Sequence, residues 1–157
     1  TDPGQYWQDN PGHPKGTDYI KKGQYRHAYS LGLHRGVYPA LIQTQPVNVI
    51  RNYERKGLIK WFESGIEDTG RFGINIHRAR SQGTTKTIDS FSAGCLVFAN
   101  ATDFLQLIGF AKENQKRYGY QFTLTLFDFR DERRRRLSKI AWCTVLASGG
   151  LFLINRI

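Results

Sequence analysis

Methionine is absent from the 157 residues, the first position included, and cysteine occurs only twice, as Cys95 and Cys143. A chain that opens on another residue reads as a processed or trimmed one with an N-terminal part missing, and no signal peptide is visible at its start. Two cysteines make no disulfide framework. One lies in a glycine turn and the other in an apolar tail, so pairing between them is not expected. Nor do they make a zinc set, because C-x-x-C and H-x-x-x-H spacings are both missing. The EF-hand pattern is missing as well, so Glu63, Glu67 and Asp68 read as a solvated acidic turn and not a calcium site. No metal is expected. Carboxylates are also few, with 13 Asp and Glu against 23 Lys and Arg, a net charge of +10. Such a surface suits a polyanion: nucleic acid, anionic lipid or an anionic wall polymer. No nucleic-acid recognition motif accompanies the charge, which argues against nucleic acid as the partner.

What is present points to a β-rich domain. The 39% hydrophobic content suffices for one compact core. Aromatic content of 13% and 16 glycines favour strands and turns over a helical bundle. Residues 1–23, with Pro3, Pro11, Pro14 and Gly4, Gly12, Gly16, Gly23, read as loop, pinned to the core by Tyr6 and Trp7. Strands are expected at 25–33, 40–43, 47–52 and 58–62. The clearest inner strand is 72–77, where Ile74 and Ile76 face one side and Asn75 and His77 the other. Residues 78–91 are a polar loop, and Ser92–Cys95 turns sharply into the apolar run Leu96-Val97-Phe98.

A helix should start near Asn100 or Thr102, bury Phe104, Leu107, Ile108 and Ala111, and stop at Tyr118-Gly119. Residues 121–129 alternate as a final strand. Then the composition breaks. Residues 130–139 hold six cations against two carboxylates, and 140–154 is a run of fifteen residues without a charge. As a helix that run spans about 22 Å, short of a hydrocarbon core about 30 Å thick. It reads either as a membrane anchor with the arginines at the headgroups or as a packed terminal helix or strand. The expected plan is thus an N-terminal loop region (1–23), a catalytic domain (24–129), a basic linker (130–139) and an apolar tail (140–157).

The chemistry centres on Cys95. A cysteine nucleophile needs a group that favours the thiolate, backbone N–H groups for the oxyanion and an exposed sulfur. Gly94 allows the sharp turn and the close approach of a substrate carbonyl. His77, at a strand end, supplies a base. The plainer reading makes Cys95 a small core residue and His77 an ordinary polar one. His13, His27 and His34 lack spacing partners and read as surface or packing residues. Tyr25, Tyr29, Tyr38 and Trp61 read as core more than as a substrate groove.

Gly73-Ile74-Asn75-Ile76-His77, then fourteen residues, then Ser92-Ala93-Gly94-Cys95 resembles the catalytic domain of the L,D-transpeptidase (YkuD-like) family. There a histidine is followed, after a similar gap, by Ser/Thr-His-Gly-Cys, an apolar residue and Arg or Asn. His77, Ser92, Gly94, Cys95 and Leu96 match that motif. Lys22-Gly23-Gln24-Tyr25 is similar to the start of a family strand, which extends the likeness loosely over 20–129. The whole is also similar to a phage-associated branch. Ala93 departs from the family's second histidine, and Val97 from its Arg or Asn.

The resemblance implies a mainly β fold with a flanking helix, a mixed sandwich or barrel of the L,D-transpeptidase type. It implies that Cys95 attacks the bond joining an L-centre to a D-residue in a peptidoglycan stem peptide, through a thioester, with His77 as general base. Amides near Gly94 and Cys95 would hold the oxyanion, and Ser92 and Gly94 would shape the turn. Asn75 would stand beside the base and contact substrate, as would Arg78 or Arg80 in place of the missing cation. No cofactor is needed. An amine acceptor gives a crosslink, and water gives a carboxypeptidase or endopeptidase. The location implied is the cell envelope or a phage particle, with membrane contact through the tail. Two alternatives stand beside this: a wall-binding or structural module of the same fold that lost its chemistry, which Ala93 and Val97 favour, and a membrane-tethered basic protein with Cys95 merely buried.

Overall fold

Two sheets and one long helix make up the part of the chain that carries Cys95 and His77. The computed structural model describes residues 4–14, 16–51 and 65–127. The chain divides into two compact units, Thr1–Thr125 and Leu126–Ile157. Of the second unit only Leu126 and Phe127 are described, so the basic linker, the apolar tail and Cys143 lie outside the described residues. So do the strand expected at 58–62, Trp61 and Glu63. Among the described residues no helix is long and apolar enough to cross a membrane.

Helix α1 (Gln5–Asp9) opens the chain. The first sheet is antiparallel, with β1 (Asp18–Ile20), β4 (Val47–Arg51) and β5 (Ile66–Gly70) in the order β1-β4-β5. The second has five strands: β2 (Gly23–His34), β3 (Tyr38–Gln43), β6 (Ile76–Arg78), β7 (Leu96–Phe98) and β8 (Gln121–Leu126), ordered β7-β6-β3-β2-β8. It is mixed, because β6 and β7 run parallel while β2, β3 and β6 are antiparallel neighbours. The architecture is therefore mainly β with a flanking helix, α2 (Ala101–Tyr118).

Local chemistry accounts for these elements. The β2–β3 hairpin turns at Arg35 and Gly36, both with positive φ (51° and 73°), and Val37 N donates to His34 O at 3.0 Å. Two successive positive φ values match the right-handed twist of paired strands. Helix α2 starts at Asn100, whose side chain accepts from the amides of Thr102 and Asp103, and stops at Gly119 with φ 94°. Its Phe104 and Ile108 pack with Ala40 of β3, joined by Tyr38 and Phe98. Along β8, half-buried Phe122, Leu124 and Leu126 alternate with exposed Thr123 and Thr125.

Three expectations change. Residues 1–23 are not all loop: they contain α1 and β1, and Trp7 Nε1 donates to Ser90 O at 2.9 Å. Tyr6, by contrast, stays half exposed. Of 72–77 only Ile76 and His77 are in a strand, and the strand runs on to Arg78. The run before it is held by a side chain instead of a ladder: Gln43 Oε1 accepts from the amides of Phe72 (3.1 Å) and Ile74 (2.9 Å), and its Nε2 donates to Gly70 O (2.8 Å). Glu67 and Asp68 form no acidic turn. They lie in β5 and pair with Lys21 and Arg51.

Candidate active site

The parallel pairing of β6 with β7 brings the two halves of the motif together. Ile76 stands opposite Leu96 and His77 opposite Val97, and Leu96 N donates to Asn75 O at 2.9 Å. Side chains alternate along a pleat, so the paired His77 and Val97 share a face. Cys95 directly precedes β7, two residues before Val97.

The turn before Cys95 is built by Ser92, which is 3% exposed. Its Oγ accepts from Gly94 N at 3.0 Å and donates to Cys95 O at 2.9 Å. Gly94 has φ 155°, and a Cβ there would lie 2.7 Å from the carbonyl oxygen of Asp18. Only glycine lets β1 pass this close. Gly4 N also donates to Ser92 O at 3.0 Å, so the N-terminal segment buttresses the turn. The Gly94 amide is committed to Ser92 Oγ, so it does not point at an oxyanion in this geometry.

Cys95 is not disulfide-bonded. Its Sγ accepts from Asn75 N and donates to Gly73 O, each at 3.4 Å. Burial pushes the thiol above its usual range, the Asn75 amide pulls it back, the Asp18 charge adds to the rise and Arg35 opposes it. That direction runs against the expectation of a site that favours the thiolate.

His77 is 3% exposed. Its Nδ1 lies 2.9 Å from Arg78 O. A carbonyl only accepts, so Nδ1 carries the proton and Nε2 keeps a lone pair. The Tyr38 hydroxyl donates to the same carbonyl at 3.3 Å and lies 3.4 Å from Nδ1. Burial lowers the His77 imidazole below its ordinary range, the Arg78 carbonyl works the other way and Arg35 lowers it further.

Arg78 and Arg80 do not converge on the sulfur. The Arg78 guanidinium lies over the Tyr38 ring at 4.4 Å, and that of Arg80 over Phe91 at 5.9 Å. The cation whose field reaches both Cys95 and His77 is Arg35, in the β2–β3 turn. Ala93 is exposed and lines a cavity of about 310 Å³ with His13, Asp18, Arg51 and Phe72. At its floor Arg51, 4% exposed, pairs with Asp18 at 2.8 Å and Asp68 at 3.0 Å and lies 4.5 Å over Phe72. Among the described residues no group of three His, Cys, Asp or Glu is placed to hold a metal ion.

Sequence reasoning missed Gln43, Arg35 and Asp18, and it read Tyr38 as core more than as part of a groove. It also read His34 as surface or packing. Of these histidines, His13 and His27 are exposed, but His34 is 8% exposed and stacks on His77. Nothing in their spacing marks these residues, since each reaches the site from another strand or turn. Tyr25 and Tyr29 are buried, as expected of core aromatics. No family model, no curated protein and no solved structure matches the chain.

Proposed function

We propose that this protein is a cysteine acyl-transfer enzyme of the L,D-transpeptidase type, acting on peptidoglycan stem peptides, with Cys95 as nucleophile and His77 as base. One observation supports the reading: the β6–β7 pairing sets His77, with a lone pair on Nε2, on the strand beside the one that the Ser-x-Gly-Cys turn enters. A nucleophile, a base and a third group orienting the base form the recurring arrangement of covalent catalysis. Here the third group is a backbone carbonyl, that of Arg78. The mixed sheet with its flanking helix suits the sandwich or barrel of that family.

Because burial favours the neutral thiol and the neutral imidazole, the proton moves during attack. His77 Nε2 takes the thiol proton, directly or through one water. Sulfur bonds to the substrate carbonyl carbon, whose oxygen becomes an oxyanion. Collapse expels the amine, which takes its proton from Nε2, and leaves a thioester on Cys95. An incoming amine or water then attacks the thioester while His77 accepts its proton, and the sulfur leaves with that proton returned. The Asn75 amide, 3.4 Å from Sγ, supports the sulfur whenever it carries negative charge. Asn75 thereby acts through its backbone on the nucleophile. The cavity beside Ala93 offers room for a substrate side chain. The envelope, or a phage structure that meets it, is the location this substrate implies.

The test is incubation with purified stem tetrapeptide, read by mass. The expected result is a covalent adduct on Cys95 and a product shortened by its terminal D-residue or joined to an acceptor. His77→Ala should slow adduct formation by about 10²–10⁴-fold, and Cys95→Ser should abolish it. Equal alkylation of Cys95 near pH 7 with and without His77 would sink the pair. A second reading, a wall-binding module of the same fold without chemistry, is favoured by the upward shift of the thiol and by Ala93. It predicts no adduct but co-sedimentation with purified cell walls.

A further inference from the structure

We infer that His34 is the positioning residue of the base: held by Asn75, its ring stacks on His77 and keeps His77 Nε2 presented to Cys95. The inference rests on the reading of Cys95 and His77 as nucleophile and base. The two rings lie 4.2 Å apart at an interplanar angle of 17°, a face-to-face stack. His34 closes β2 at the hairpin turn, and the positive φ values of Arg35 and Gly36 fix where that strand ends. It is therefore attached to the sheet and not to the loop that follows the base.

A hydrogen-bond chain sets its state. Gln43 N donates to Asn75 Oδ1 at 3.0 Å, which leaves Asn75 Nδ2 as the donor facing His34 Nδ1 at 3.4 Å. His34 Nδ1 must accept, so its proton sits on Nε2. Protonating His34 would turn donor against donor and lay an imidazolium on the His77 ring 4.2 Å away. The ordinary His34 value is correspondingly lowered to about 4, by burial first and then by the charges of His77 and Arg35. The other charged or titratable groups around the stack are Arg78, Tyr38 and Cys95; Tyr38 itself lies 5.5 Å from His34. A neutral ring over His77 does two things. It stops the imidazole from turning away from Arg78 O, and it offers a π face to the imidazolium formed when Cys95 gives up its proton. Asn75 links the halves, since its side chain holds His34 while its amide meets Cys95 Sγ.

The experiment compares wild type, His34→Leu and His34→Phe. Leu fills similar space without a ring, and Phe restores the stack without titrating. Two readouts are used on the full chain: the His77 tautomer from nitrogen chemical shifts, and the pH profile of iodoacetamide alkylation at Cys95, followed by peptide mass so that Cys143 is scored apart. Wild type should show a single tautomer protonated at Nδ1. His34→Leu should mix the tautomers and slow Cys95 alkylation at least about tenfold near pH 7, with circular dichroism unchanged. His34→Phe should recover both. Should the Leu variant not fold, loss of the tautomer in the Phe variant overturns the inference and its retention supports it. A Leu variant indistinguishable from wild type reduces His34 to packing. If His77→Ala also leaves alkylation unchanged, the pair itself has failed; if only the His34 variants are silent, the inference alone has.

Discussion

At the scale of single residues the site is a set of commitments made by small groups. Gly94 illustrates how little room there is, with a Cβ position 2.7 Å from a backbone oxygen of β1. Gly94→Ala should cost about 1–3 kcal/mol or more, as overpacking does, and urea unfolding should show it along with altered Cys95 reactivity. The two buried histidines make stability depend on pH. Both have lowered values, His34 to about 4, while the unfolded chain titrates near 6.5. The unfolded state therefore binds more protons as pH falls below 6.5, so stability is lost on acidification through that window. Asp18, raised above 3.8 mainly by burial, acts oppositely. The melting temperature should drop between pH 6.5 and 4, and His34→Phe should flatten the drop. A profile equally steep in both proteins would remove His34 from the account.

Elements were legible where their signals are local. The start of α2 at Asn100, its basic last turn and its stop at Gly119 follow from capping and dipole chemistry within a few residues. Asn100→Ala should cost about 1 kcal/mol and leave Cys95 alkylation unchanged, since the cap touches neither half of the motif; denaturation and alkylation together check this. The strands β2 and β3 and the β8 alternation were equally readable, though not that β2 and β3 pair as a hairpin. What misled was the run before β6. Its apolar alternation looks like a strand, but its amides go to the Gln43 side chain, a partner about thirty residues away. The N-terminal elements were hidden for a similar reason. A five-residue helix has no strength of its own, and α1 is held by bonds from Gly4 and Trp7 to Ser92 and Ser90.

For the whole molecule, both sheets, the helices and the site fall within Thr1–Thr125, apart from the last residue of β8. A chain ending at Phe129 should therefore unfold cooperatively and keep the wild-type rate of Cys95 alkylation. Loss of cooperative unfolding in that shortened chain would show that residues 130–157 are needed for the fold.

The sequence alone determined the β-rich class and the boundaries of α2, because caps and periodicity act over a few residues at a time. Only the tertiary structure decided that β1 passes against Gly94, that Gln43 and Arg35 reach the site, that burial pushes the thiol up, and that His34 lies on His77. Each depends on strands distant in sequence being packed together, and on the desolvation and charge that this packing imposes.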